Sequence, residues 1–115
     1  MRVANLAQWN LCNIGTNLSR GLRSLGHDAR SIVLRPAPYR MDVDLTWSRD
    51  EAACRAFLEG ADVVHASSLH AGFTLWGARL PTGVPRTVRG RRLVVQYHGT
   101  DLRRDAHPSV KALIA

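Results

Sequence analysis

Cysteine is scarce in this chain, with Cys12 and Cys54 standing alone. Neither belongs to a CxxC pair, so spacing supports no disulfide framework and no zinc module, and a reducing, cytoplasmic setting fits best. No apolar run approaches the roughly 20 residues that a membrane-spanning helix needs. The opening MRVANLA lacks the extended apolar stretch and small-residue cleavage site of a secretory signal. Aromatics make up only 6% of the residues and form no cluster suited to base stacking. The phosphate-binding patterns GxGxxG and GxxxxGKS/T are both absent. No grouping of histidines and carboxylates has metal-ligand spacing, so no metal or other cofactor is expected.

What is present is an ordinary globular composition: 115 residues, 12.7 kDa, 45% hydrophobic and 22% charged. That is one domain at most, with enough apolar material for one modest core. The formal charge of +7 is unevenly spread. Residues 1–62 carry eight arginines against seven acids, whereas residues 63–115 carry seven arginines and one lysine against two. Arg79, Arg86, Arg89, Arg91 and Arg92 form a basic stretch, and no acid occurs between Asp62 and Asp101. Such a stretch attracts phosphates, an anionic membrane surface or an acidic substrate. A solvated loop in an arginine-biased protein is the slightly simpler explanation, since 15 of the 16 basic residues are arginine.

Strand and helix patterns alternate along the chain. Arg2 to Ala7 reads as a first strand. Ile14, Leu18, Leu22 and Leu25 follow at helical spacing and predict an apolar stripe facing the core, with Ser19, Arg20, Arg23 and Ser24 off it. Gly26 suits a left-handed helix end. Ala29 to Leu34 predicts a second strand, halted by Arg35-Pro36-Ala37-Pro38. Ser48-Arg49-Asp50-Glu51 matches a capping box, with a helix running to about Glu59 that buries Ala53, Ala56 and Phe57. Asp62 to Ala66 predicts a third strand. Leu69, Phe73 and Trp76 are spaced for another helix, capped by Ser67 or Ser68. Leu80 to Arg92 reads as loop, Leu93 to His98 as a fourth strand, and Pro108 as the first residue of a last helix. This alternation predicts an open parallel sheet of about four strands with flanking helices, and the short last helix suggests the opening part of a larger domain.

In such a sheet, ligands bind beyond the carboxyl ends of the strands. Three ends carry distinctive residues: Asn13-Ile14-Gly15-Thr16, His65 with Ser67 and Ser68, and His98-Gly99-Thr100-Asp101. Gly15 can bring backbone amides to an anion at a helix start, or serve simply as a turn. His65 in a strand is, taken singly, more often a satisfied core histidine than a ligand contact. At His98, Gly99 removes bulk while Thr100 and Asp101 add groups able to hold sugar hydroxyls; the same residues also suit a hydrogen-bonded turn.

Three segments together resemble the N-terminal domain of GT-B glycosyltransferases. Leu18 to Ala29 is similar to their L-x-x-x-L-x-x-x-G-H-x-V helix-to-strand passage, and Asp62 to Ala66 resembles their D-V-V-H-x-H strand. Leu93 to Arg103 resembles the V-x-x-x-H-G-x-D strand and loop of the family 4 retaining group. The resemblance implies a Rossmann-like, acceptor-side domain spanning residues 1–115, whose C-terminal partner domain holds most of a nucleotide-sugar donor. By that likeness the Gly15 loop approaches the donor diphosphate, and His98, the catalytic residue, hydrogen-bonds the transferred sugar or helps orient the acceptor. Asp101 supports the loop, while His65, Gly99 and Thr100 complete the substrate-binding side. Such enzymes typically need no bound metal, and several act on lipid-linked acceptors at a membrane, where the Arg79–Arg92 stretch would serve. The chain departs from the family in keeping one glycine of the usual pair and in placing Ala66-Ser67 where the second strand histidine belongs. The donor half, with its basic residue and paired glutamates, does not occur in the 115 residues, so the chain alone is expected to be inactive. Two other readings stay open: a non-catalytic acceptor-binding or interaction module, and a generic flavodoxin-like nucleotide-binding domain. Nucleic-acid binding ranks last, for want of a motif.

Overall fold

A computed structural model describes residues 1–8, 13–35, 42–67, 73–75, 78–80, 87–88 and 90–96. Its centre is a six-stranded sheet ordered β3-β2-β1-β4-β8-β7, built from β1 (Arg2–Ala7), β2 (Asp28–Val33), β3 (Leu45–Thr46), β4 (Val63–Ser67), β7 (Thr87–Val88) and β8 (Arg91–Gln96). Five strands run parallel, and β7 pairs antiparallel on the edge. The parallel sheet is thus one strand larger than the predicted four, because the two-residue β3 has no apolar run of its own to announce it. The order reverses between β1 and β4, which makes their carboxyl ends the topological switch point of a Rossmann-like sheet.

Two helices cover the sheet: α1 (Ile14–Ser24) lies against β1 and β2, and α2 (Trp47–Glu59) links β3 to β4. Alternation along the strands separates two unlike faces. Ala4, Leu6, Ile32, Val64, Ala66 and Leu93 point to one side and pack with Cys54, Phe57 and Leu58 of α2 and with Ala61. This is the hydrophobic core. Phe57 also lies between the guanidinium groups of Arg2 and Arg30, each 4.9 Å from its ring centre.

The opposite face carries a polar row. Register places Ser31, Asn5 and His65 side by side on β2, β1 and β4, and all three are buried. Helix α1 therefore turns Thr16 and Ser19 to the sheet, and the predicted stripe is only half realised, with Ile14 and Leu22 half-buried. Thr16 and Ser19 are its buried residues, while Leu18 is 40% and Leu25 75% exposed. The physical reason is hydrogen bonding: buried Asn5 and Ser31 need polar partners, which leucines cannot supply. The helix closes as expected, with Gly26 at φ +88° and the amides of Gly26 and His27 returning to the carbonyls of Arg23 and Leu22.

Helix α2 departs from its predicted start and phase. Thr46 precedes its first turn, and the backbone breaks from helical geometry at Asp50, whose carboxylate accepts from the Thr46 amide at 3.2 Å. The Ser48–Glu51 box therefore does not form the helix start. Ala53 and Ala56 are exposed, and Cys54, Phe57 and Leu58 take the core. The helix predicted around Leu69, Phe73 and Trp76 is also overturned. β5 (Phe73–Leu75) pairs antiparallel with β6 (Ala78–Leu80) in a separate hairpin, so strand pairing outweighs the helical spacing of two aromatics and a leucine. Ser67 closes β4 instead of capping a helix. The loop expected over Leu80–Arg92 instead holds the β7–β8 hairpin, turned by Gly90 at φ +76°. The last helix from Pro108 lies outside the described residues.

Candidate functional site

The polar row is wired together by side chains. Asn5 Nδ2 donates to Ser19 Oγ at 2.6 Å, which ties the central strand to α1. The Asn5 Oδ1 atom lies 3.1 Å from His65 Nδ1, and His65 Nε2 lies 3.0 Å from Gln96 Oε1. A continuous string thus runs from α1 through β1 and β4 to the last residue of β8. On the other flank, Thr16 Oγ1 lies 3.4 Å from Ser31 Oγ. Asp44 accepts from the Ser31 amide at 2.8 Å, from its hydroxyl at 3.1 Å and from Arg23 at 3.0 Å.

Asp44 is electrostatically anchored. Burial pushes its carboxyl up, but the Ser31 amide, the Arg23 guanidinium and the Ser31 hydroxyl together outweigh that and hold it below 3.8. Cys54, in the apolar core, goes the other way: burial, with Asp50 and Glu51 nearby, pushes its thiol up to about 11.

Gly15 lies over Ser31 and Asn5, and His65 adjoins Asn5 from the neighbouring strand. A methyl group at Gly15 would lie 3.8 Å from the Asn5 Cβ and 3.6 Å from the Ser31 Cβ. The bare side of Gly15 therefore faces the sheet, with room for a methyl group at ordinary contact distance. His65 is buried on the strand two residues before its end, with both ring nitrogens within hydrogen-bond distance of a side chain. His98, Gly99, Thr100 and Asp101 lie outside the described residues, as do Arg86 and Arg89. Arg79 is described only through the backbone of β6. Arg91 donates to the Glu59 carbonyl at the C-terminal end of α2 and lies 3.5 Å from the Glu59 carboxylate, a placement that suits the helix dipole. Arg92 is exposed on the adjoining position of β8. Among the described residues no group of three histidine, cysteine or acidic side chains could hold a metal ion.

Asn5, Ser19, Ser31, Asp44 and Gln96 were not singled out by sequence reasoning. The signal was there in part: the apolar runs of β1, β2 and β4 each contain a polar residue, Asn5, Ser31 and His65. That they stand in one row requires the register, which the sequence does not state.

The fold and this site define a Rossmann-like α/β domain with a buried polar row across its central strands. Among the described residues no helix is long and apolar enough to cross a membrane. No protein-family model, curated protein or solved structure matches the chain.

Proposed function

We propose that the chain is the acceptor-side half of a retaining GT-B-type glycosyltransferase, which transfers sugar from a nucleotide-sugar donor only when a donor-binding domain completes the cleft. The observation that carries this reading is the topological switch point at the carboxyl ends of β1 and β4, beside which the exposed Gln96 at the end of β8 is joined through His65 to the buried Ser31–Asn5–His65 row. Ligands of open parallel sheets bind at that place. Gln96, the exposed end of that string, offers a carboxamide, which can both give and accept hydrogen bonds with sugar hydroxyls. The segment resemblance supplies the enzyme class. In this reading His98 is the catalytic residue, and Gly99, Thr100 and Asp101 belong to the substrate-binding side. The Arg79–Arg92 stretch favours a lipid-linked acceptor at an anionic membrane surface. Catalysis needs groups positioned around both reactants, so the half-site alone binds without turning over.

The test is a titration of the isotope-labelled 115-residue chain, followed by amide chemical shifts. Methyl glucoside and myo-inositol are expected to shift Gly15, Ser67 and Gln96, and UDP-glucose to add little beyond its sugar. If ATP or NAD perturbs this rim more strongly than any sugar, the generic nucleotide-binding alternative replaces the proposal. Specific observations favour no third reading.

A further inference from the structure

His65 was the residue of β4 marked for substrate contact, yet its geometry suits a different task. The side chain is 8% exposed and lies at the middle of β4, not at the strand end. Asn5 donates its NH2 to Ser19, so its carbonyl oxygen faces His65 Nδ1, and that nitrogen carries a proton and donates. The other ring nitrogen, Nε2, lies 3.0 Å from the carboxamide oxygen of Gln96, Oε1. Gln96 itself is exposed, is the last residue of β8, and stands in register with Ser67 at the end of β4.

We propose that Gln96 is the ligand-contacting residue of this site and that His65 is a positioning residue that holds the Gln96 carboxamide toward the crevice. This rests on the acceptor-side reading above and names the group that meets the acceptor. A carboxamide has one acceptor end and one donor end. A neutral His65 accepts the NH2 end and leaves the oxygen outward; a protonated ring takes the oxygen and leaves the NH2 outward. In either state one end is spent on the ring and the other faces solvent with its direction set. A free glutamine side chain loses rotamer entropy when it binds a ligand, and the histidine has already paid that cost here. The ligand chemistry that fits is a neutral polyol, whose adjacent hydroxyls both give and accept hydrogen bonds.

Two measurements on the full chain decide the matter. In the free protein, long-range proton–nitrogen spectra should show His65 with a protonated Nδ1, and the Gln96 carboxamide protons should stand apart from random-coil positions. His65→Leu should move those carboxamide signals to random-coil values. Because that variant removes buried hydrogen bonds, His65→Gln provides the conservative comparison; its amide should partly restore them. Random-coil carboxamide signals or an unprotonated Nδ1 in the unmodified protein overturn the positioning role without reference to any ligand. Titration with myo-inositol supplies the second measurement. Gln96→Ala, a change at an exposed position, should weaken binding about five- to tenfold, the loss of roughly one hydrogen bond. Undiminished binding by Gln96→Ala, with Gly15 and Ser67 still shifting, overturns the Gln96 assignment and leaves the acceptor-side reading standing. No polyol-induced shift anywhere on this rim overturns both.

Discussion

Replacing Asn5 by alanine tests whether the polar string holds α1 to the sheet. Asn5 is 2% exposed, bonded to Ser19 at 2.6 Å and close to His65 at 3.1 Å. Truncation removes both contacts and leaves the Ser19 hydroxyl and the His65 Nδ1 proton buried beside a small void. Each lost hydrogen bond costs about 1 kcal/mol, and a stranded buried partner costs about 1–3 kcal/mol more. Water entering the void reduces the second cost, so a total of about 2–4 kcal/mol is expected. A chain of this length has a total stability of roughly 6–17 kcal/mol, so the loss is a substantial fraction. Urea unfolding followed by far-UV circular dichroism measures it, with the midpoint falling and the slope unchanged. Asn5→Ala combined with Ser19→Ala should cost less than the two singles added, with a coupling of about 1 kcal/mol. A loss below about 0.5 kcal/mol, or strict additivity, would refute the claim that these hydrogen bonds seat the helix.

Three further outcomes follow from the same geometry. Gly15→Ala should be tolerated, raising stability by up to about 1 kcal/mol, because the added methyl makes only ordinary contacts with Asn5 and Ser31; a marked loss in thermal melting would show that α1 sits closer to the sheet than these distances allow. The folded-state depression of the Asp44 carboxyl stabilises the protein above the ordinary carboxylate value, and that contribution disappears as pH falls below 3.8 through the folded value. Asp44→Asn should therefore flatten the acid side of the stability profile, and an unchanged acid limb would contradict the anchoring. In a Cys12→Ser background, Cys54 should resist thiol reagents at pH 8 until the protein unfolds, since burial and nearby acids raise its thiol to about 11; rapid labelling of the folded chain would show that the core is open.

Periodicity and breakers made much of the scaffold legible in the residues themselves. The alternation of β1, α1, β2, α2 and β4 follows from short apolar runs, Gly26 and the proline-rich stop after Leu34, all local signals. Local signals could not decide which way each helix faces. Half of the predicted apolar stripe of α1 points outward because Asn5, Ser31 and His65 meet in one buried row, and a buried polar row demands a polar cover. Nor could they show that β3 exists, that Phe73–Leu75 pairs as a strand, or that Gln96 reaches His65 across the sheet. Those depend on register between segments far apart in the chain. Hydrophobic spacing determines which segments become strands and helices; only the assembled sheet brings single polar residues from separate strands together, because their partners come from other segments.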